Sequence, residues 1–338
     1  MDLFALTRKL VDIESITGNE CAVGQFLQAH LDSLGYATRR TDVEQNRFNV
    51  FAVPRIAEPP QVVFSTHMDV VPPWFPSSED EHNIRGRGAC DAKGIIAAQI
   101  EAAERLRKQG ISVGLLFLVG EEKNSAGAKV ANQRIAELLA KPPQFLINGE
   151  PTENCVAIAS KGSLRVELIA RGRLAHSAYP ELGESAIEKL LAALAKLRAM
   201  PLPSDPDVGP CTMNIGVIEG GRAPNVIADH ARAELLYRLV GPSAPLRDRI
   251  VKEIGDLAHI EVEFILDIPF LKLRAPAGIP TMVAAFTTDI PALANWGEPV
   301  LIGPGSIHVA HTEREFIAKK DLLEAVDLYC KLTTSLLA

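Results

Sequence analysis

The sequence predicts an α/β protein: a mainly parallel sheet flanked by helices, with an inserted β-α-β-β-α-β unit of ferredoxin-like type. Three observations carry this. Residues 1–160 alternate helical stripes with short apolar runs, the signature of strands covered on both faces. Near Lys161 the pattern changes to strict in–out alternation, as in half-exposed antiparallel strands. After Pro276 the first pattern returns. The expected boundaries are therefore 1–161 with 276–338 for a discontinuous first domain and 162–275 for the insert.

In chain order, Leu3, Leu6, Leu10 and Val11 form a helical stripe over 2–12. Thr17-x-x-Glu20 reads as a capping box opening a second helix, with Val23, Phe26, Leu27, Leu31 and Leu34 on one face. Strands follow at Phe48–Val53, Val62–Ser65, Val113–Val119 and Phe145–Ile147, with helices at about 93–109 and 127–140. In the insert, the pattern gives a strand at 163–172, a helix at 183–198, strands at 212–219 and 231–240, a helix at 245–258 and a strand at 260–268. Val300–Ile302 is a further strand and 320–337 a last helix. An antiparallel sheet with one open face or edge needs a cover, so the insert implies self-association.

Composition sets limits. At 338 residues, 47% apolar and 23% charged, the chain has ordinary globular usage and room for two domains. A net charge of −7 repels nucleic acid and anionic membrane surfaces. Apolar runs such as Val113–Val119 fall short of the ~20 residues of a membrane span. Five scattered cysteines and the opening MDLFALTRKLVDIES lead us to expect free thiols in a reducing cytoplasm and no signal peptide.

Five segments carry candidate chemistry, and four directly follow a predicted strand, where open α/β sheets place their sites. In Ser65-Thr66-His67-Met68-Asp69, His67 is a candidate ligand and Asp69 a carboxylate to orient it; alternatively they are a surface histidine and a helix cap. In Gly86-Arg-Gly-Ala-Cys-Asp91-Ala-Lys-Gly94, Asp91 reads alone as the N-cap of the next helix, or, with two oxygens, as a bridge between two metal ions. Gly120-Glu121-Glu122 places two carboxylates side by side at a buried strand end. One must take up a proton unless a cation relieves the repulsion, or the turn is simply solvated. Glu150 in Asn148-Gly-Glu-Pro-Thr152 is a ligand or an ordinary loop acid. The last segment, Gly303 to His311, offers His308 and His311, of which only one need ligate. Together these nitrogen and oxygen donors suit Zn²⁺ or Co²⁺ with open positions for water.

STHMDVVP, GRGACDAKG, GEE, GEPT, GRLAHSAYP, GGRAPNVIADHARAEL and GPGS…AHTEREF occur in this order along nearly the whole chain. In this the chain resembles the zinc aminoacylase and exopeptidase family of acetylornithine deacetylase, succinyl-diaminopimelate desuccinylase, carboxypeptidase G and the aminoacylases. The resemblance implies two Zn²⁺ or Co²⁺ per subunit. His67 and Glu150 match ligands of one ion, Glu122 and His311 match ligands of the other, and Asp91 matches the bridge. Glu121 matches the general base, and the bond Asp91–Ala92 matches a cis peptide. His311 is favoured over His308 because the family histidine is followed closely by acids. The insert matches a dimerisation and lid domain. There His176 corresponds to a histidine serving the partner's oxyanion, and Asn225 and Arg238 to contacts with polar groups or a carboxylate of the substrate. Tyr179 closes the His176 segment and is a further candidate substrate contact.

Two segments depart from the family pattern: the short acidic loop Ser77–Glu81, and Ser160-Lys-Gly-Ser163, where desuccinylases are arginine-rich. Glu150, where peptidase members often carry Asp, and GPGSI…AH point toward an N-acetyl-amino-acid deacetylase. A desuccinylase, or a metallo-carboxypeptidase or dipeptidase, is the alternative.

Overall fold

The computed structural model describes residues 2–55 and 59–338. Its contacts divide the chain into two units, one of residues 1–158, 273–282 and 288–338, the other of 159–272 and 283–287.

The first unit opens with helices α1 (Leu3–Val11) and α2 (Cys21–Ser33), then strands β1 (Tyr36–Glu44), β2 (Arg47–Pro54) and β3 (Val62–His67). It continues through α3 (Lys93–Lys108), β4 (Val113–Leu118), α4 (Ala126–Gln133) and β5 (Phe145–Asn148). The second unit holds β6 (Gly162–Arg171), α5 (Ala186–Ala199), β7 (Thr212–Gly220), β8 (His230–Leu239), α6 (Ala244–Ile254) and β9 (Ile260–Ile268). The chain then returns to the first unit with β10 (Glu298–Leu301) and α7 (Lys319–Leu337).

The first unit's sheet runs β1-β2-β4-β3-β5-β10. Its last four strands are mutually parallel, while β1 and β2 pair antiparallel. Every residue of β3 and β4 is buried, which is why these strands read as unbroken apolar runs. Leu10, Leu27, Phe64, Ile96, Phe117, Val326 and Tyr329 belong to one core cluster on one face. Phe51, Val63, Leu116, Leu146 and Trp296 form a second cluster. The parallel direction sends the carboxyl ends of β4, β3, β5 and β10 to one edge, and the four loops leaving them begin at Val119, Met68, Gly149 and Ile302.

The second unit is a four-stranded antiparallel sheet in the order β7-β8-β6-β9, with α5 and α6 crossing over in β-α-β-β-α-β succession. Strand β8 alternates buried and half-buried residues along its length, as a sheet with one covered face must.

Some local expectations are corrected. Thr17 and Glu20 form no capping box. Helix α2 begins at Cys21 without a side-chain cap, because Glu20 is taken by Arg47 in a buried two-point pair at 2.6 and 2.8 Å, and Thr17 bonds elsewhere. The helix at 127–140 breaks at Arg134 into α4 and a single turn, Ile135–Leu138. Strand β1 was not anticipated: it is a largely polar sheet-edge strand in which only Tyr36 and Thr41 are buried.

Candidate active site

The loops at the carboxyl edge of the parallel strands bring His67, Asp91, Glu122, Glu150 and His311 together. Ligand atoms of His67, Asp91 and Glu150 lie within 4.8 Å of one another, and so do those of Asp91, Glu122 and His311. Asp91 is shared. His67, the last residue of β3, points its Nε2 at Asp91 Oδ1, 2.9 Å away. His311 Nε2 lies 2.9 Å from Glu122 Oε1 and 3.4 Å from Asp91 Oδ2. His308 is exposed on the same loop and outside both groups. Asp91 is not a helix cap, since α3 is preceded by Ala92, and the Asp91–Ala92 peptide is cis.

Asp69 orients His67 in a different way from that expected. His67 Nδ1 meets the Asp69 carbonyl at 2.9 Å. The Asp69 carboxylate stands 3.6 Å off, beyond hydrogen-bond range. Donation to a carbonyl puts the proton on Nδ1 and leaves Nε2 free as a lone-pair donor. The Asp69 carboxylate instead receives the N–H groups of Gly120, Glu121 and Glu122 at 2.9, 3.1 and 3.3 Å and the Thr17 hydroxyl at 2.8 Å. It therefore holds the turn that carries both glutamates. Gly120, at φ +80°, allows that turn to curl around it.

The electrostatics are those of a cation site. Burial pushes the Glu121 and Glu150 carboxyls well above their usual range, and neighbouring carboxylates push them further. Burial also raises Glu122. For Asp91, burial opposes ionisation, but hydrogen bonds from His311 and His67 outweigh it and hold the group ionised. His311 is raised to about 10, chiefly by its bonds to Asp91 and Glu122. Glu150 Oε1 is buried without a hydrogen-bond partner among the described residues. An orphaned buried oxygen within a His–carboxylate cluster is what an ion ligand looks like without its ion. Nitrogen and oxygen donors with no thiolate fit two divalent cations sharing Asp91.

Sequence reasoning did not assign roles to two acids. Asp289 is buried, and neither of its oxygens has a partner among the described residues. Burial raises it to about 7, and its charge adds to the upward push on Glu121. Its signal was a lone acid in the apolar run Thr288-Asp-Ile-Pro-Ala-Leu293. Glu315, 1% exposed, accepts from the loop that carries Asp91. It was visible only as the last acid of AHTEREF.

The remaining candidates lie in the second unit. His176 sits on a short strand paired with Val226, its Nδ1 accepting the Ala178 N–H at 3.2 Å, so in the neutral ring Nε2 carries the proton. Tyr179 is exposed, its ring 6.3 Å from that of His176. Asn225 is exposed, its carbonyl accepting from the Ser177 N–H. Arg238 is half-buried on β8, and burial alone lowers its pKa.

Residues 158–259 match the family model described as the peptidase dimerisation domain of the M20 peptidases. Over 98% of the chain, 39% of residues are identical to a peptidase M20 domain-containing protein of Schizosaccharomyces pombe, covering 84% of that protein. The chain belongs to the M20 peptidase family. A probable carboxypeptidase of Neosartorya fischeri is 38% identical over 98% of the chain and 85% of its own length. Among solved M20-like structures, a tripeptidase of Staphylococcus aureus superposes with TM-score 0.83 at 22% identity, over 98% of each chain. The fold is thus the M20 peptidase fold with its dimerisation domain, and the chain is an M20-family hydrolase. No helix among the described residues is long and apolar enough to cross a membrane.

Proposed function

We propose that this M20 hydrolase cleaves a linear amide whose amine side carries a free carboxylate. The preferred substrate is an N-acyl amino acid, acetyl in the first instance, such as N-acetylornithine. The observation that carries the reading is the pair of donor groups sharing Asp91, with the half-buried acid Glu121 beside the ligand Glu122.

His67, Asp91 and Glu150 would hold one Zn²⁺ or Co²⁺, and Asp91, Glu122 and His311 the other. When bound, the ions supply Lewis-acid polarisation of the carbonyl and a more acidic water. Glu121 takes a proton from the attacking water as its oxygen adds to the acyl carbonyl, and returns it to the nitrogen as the C–N bond breaks. The products are a carboxylate and a free amine. His176, with its ring proton on Nε2, is the donor for the oxyanion in the partner subunit's site. Arg238, with no carboxylate among the causes of its shift, is free to pair with the substrate carboxylate, and Asn225 and Tyr179 lie exposed for its polar groups. Asp69 serves by holding the Glu121–Glu122 turn.

Two surface features support a homodimer through the second unit. Strand β7 lies at the edge of its sheet, and Ile218 on β7 and Leu191 on α5 stay 54% and 47% exposed. The domain division and the cytoplasmic location are part of the same reading.

A carboxypeptidase or dipeptidase is the second reading, favoured by the relative described as a probable carboxypeptidase. Both readings share the scissile amide and the free carboxylate and differ only in the acyl group. Acetate release from N-acetyl amino acids, measured beside C-terminal residue release from short peptides with zinc or cobalt present, separates them. Glu121→Gln should keep its ions and fold and lose about 10²–10⁴-fold in turnover. Full activity in that variant refutes the base.

A further inference from the structure

Asp69 is not the only buried carboxylate that gathers a loop around itself. Glu315 Oε1 accepts the N–H groups of Gly88, Cys90 and Asp91 at 2.9, 3.1 and 3.1 Å. Its Oε2 accepts from Arg87 Nη1 at 2.6 Å, and its own carbonyl accepts the Gly86 N–H at 3.2 Å. Five donors from the six residues 86–91 thus converge on one residue that lies four positions after His311. The pair is dry, with 2% and 1% of the Arg87 and Glu315 side chains exposed. A group so placed fixes where Asp91 starts from the main chain and, through the short link to His311, fixes two donors of one ion group relative to each other.

We propose that Glu315 is a positioning residue for the two-ion centre. It sets the bridging carboxylate Asp91 against His311, and so governs uptake of the ion held by Asp91, Glu122 and His311 more than uptake of the other. The asymmetry follows from anchorage. His67 and Glu150 are carried by β3 and the end of β5 and owe nothing to Glu315, whereas the Asp91–His311 relation runs through it. Partners that orient ligands in this way typically change metal affinity by about 10–100-fold when removed. This inference rests on the two-ion reading above.

The test is uptake of Co²⁺ alone by chelator-stripped protein, followed by the cobalt absorption bands and by calorimetry, with no substrate present. Wild type should take two ions per chain. Glu315→Gln, which keeps an acceptor oxygen but loses the charge, should bind the first ion within a few-fold of wild type and the second about 10-fold more weakly. Glu315→Ala, which leaves three N–H groups without their acceptor, should lose about 100-fold on the second. Leu27→Ala, a core truncation on α2, serves as a destabilised control and should keep both affinities. If Glu315→Ala does not fold, Glu315→Gln carries the test. Two ions bound by the Glu315 variants at wild-type affinity overturn the inference, as does a Leu27→Ala protein that loses the second ion to the same degree. A wild-type chain that takes up no cobalt overturns the two-ion reading itself.

Discussion

Asp289 offers a sharp test of the electrostatics of this site. The carboxyl is 1% exposed and is raised by burial from 3.8 to about 7. The native state therefore keeps the Asp289 proton up to about pH 7, while the unfolded chain releases it near pH 4. Between these values the native state binds more protons, so its stability falls as pH rises through the window. Below the window the group contributes nothing, and above it the full penalty is in force. A shift of about three units corresponds to about 4 kcal/mol. D289N removes the charge and nearly preserves the shape. In chelator-treated protein, urea unfolding should find variant and wild type closely matched at pH 4.5. By pH 8 the variant should be more stable, by up to about 4 kcal/mol. A stability difference that does not change between pH 4.5 and 8 refutes the reasoning.

Two further outcomes follow from the same geometry. Burial opposes protonation of His67, but the Asp69 and Asp91 carboxylates beside it raise it well above the usual value, and His311 is raised to about 10. Ions must displace those protons, so uptake at pH 7 should release protons and affinity should rise with pH; calorimetry in buffers of different ionisation enthalpy measures the release, and a buffer-independent enthalpy contradicts it. Thr17→Val removes the 2.8 Å bond to Asp69 and should cost about 1.5–3 kcal/mol in urea unfolding, as loss of a hydrogen bond to a charged group does, with ion stoichiometry unchanged; an unaltered midpoint contradicts it.

The parallel sheet was legible because its strands are buried on both faces and so appear as apolar runs, as Val113–Leu118 does. Strand β1 was not, because a largely polar edge strand looks like a loop. Local signals also misled where a distant partner outbid them. Thr17-x-x-Glu20 has the spacing of a capping box, but Arg47, 27 residues away, claims Glu20, and Asp69, 52 residues away, claims Thr17. A buried ion pair and a bond to a charged acceptor each outweigh a helix cap of ~1 kcal/mol.

The ligands lie in short motifs because each leaves the end of a strand, and glycines beside them mark the turns. The acids that hold those turns have no such mark. Asp69 gathers Gly120, Glu121 and Glu122 from 51 to 53 residues away, and Glu315 gathers Gly88, Cys90 and Asp91 from 224 to 227 residues away. In both loops the first backbone N–H to reach the carboxylate belongs to a glycine with positive φ, +80° at Gly120 and +87° at Gly88. Successive N–H groups converge on one anion only when the backbone curls through conformations that include the left-handed region. A side chain at Gly88 would also strike Val70 and Lys93. The glycine before the acid is thus the visible half of a two-part device. Its other half is a buried carboxylate that folding alone brings near, which is why the glycines could be read in sequence while the role of Glu315 emerged only in three dimensions.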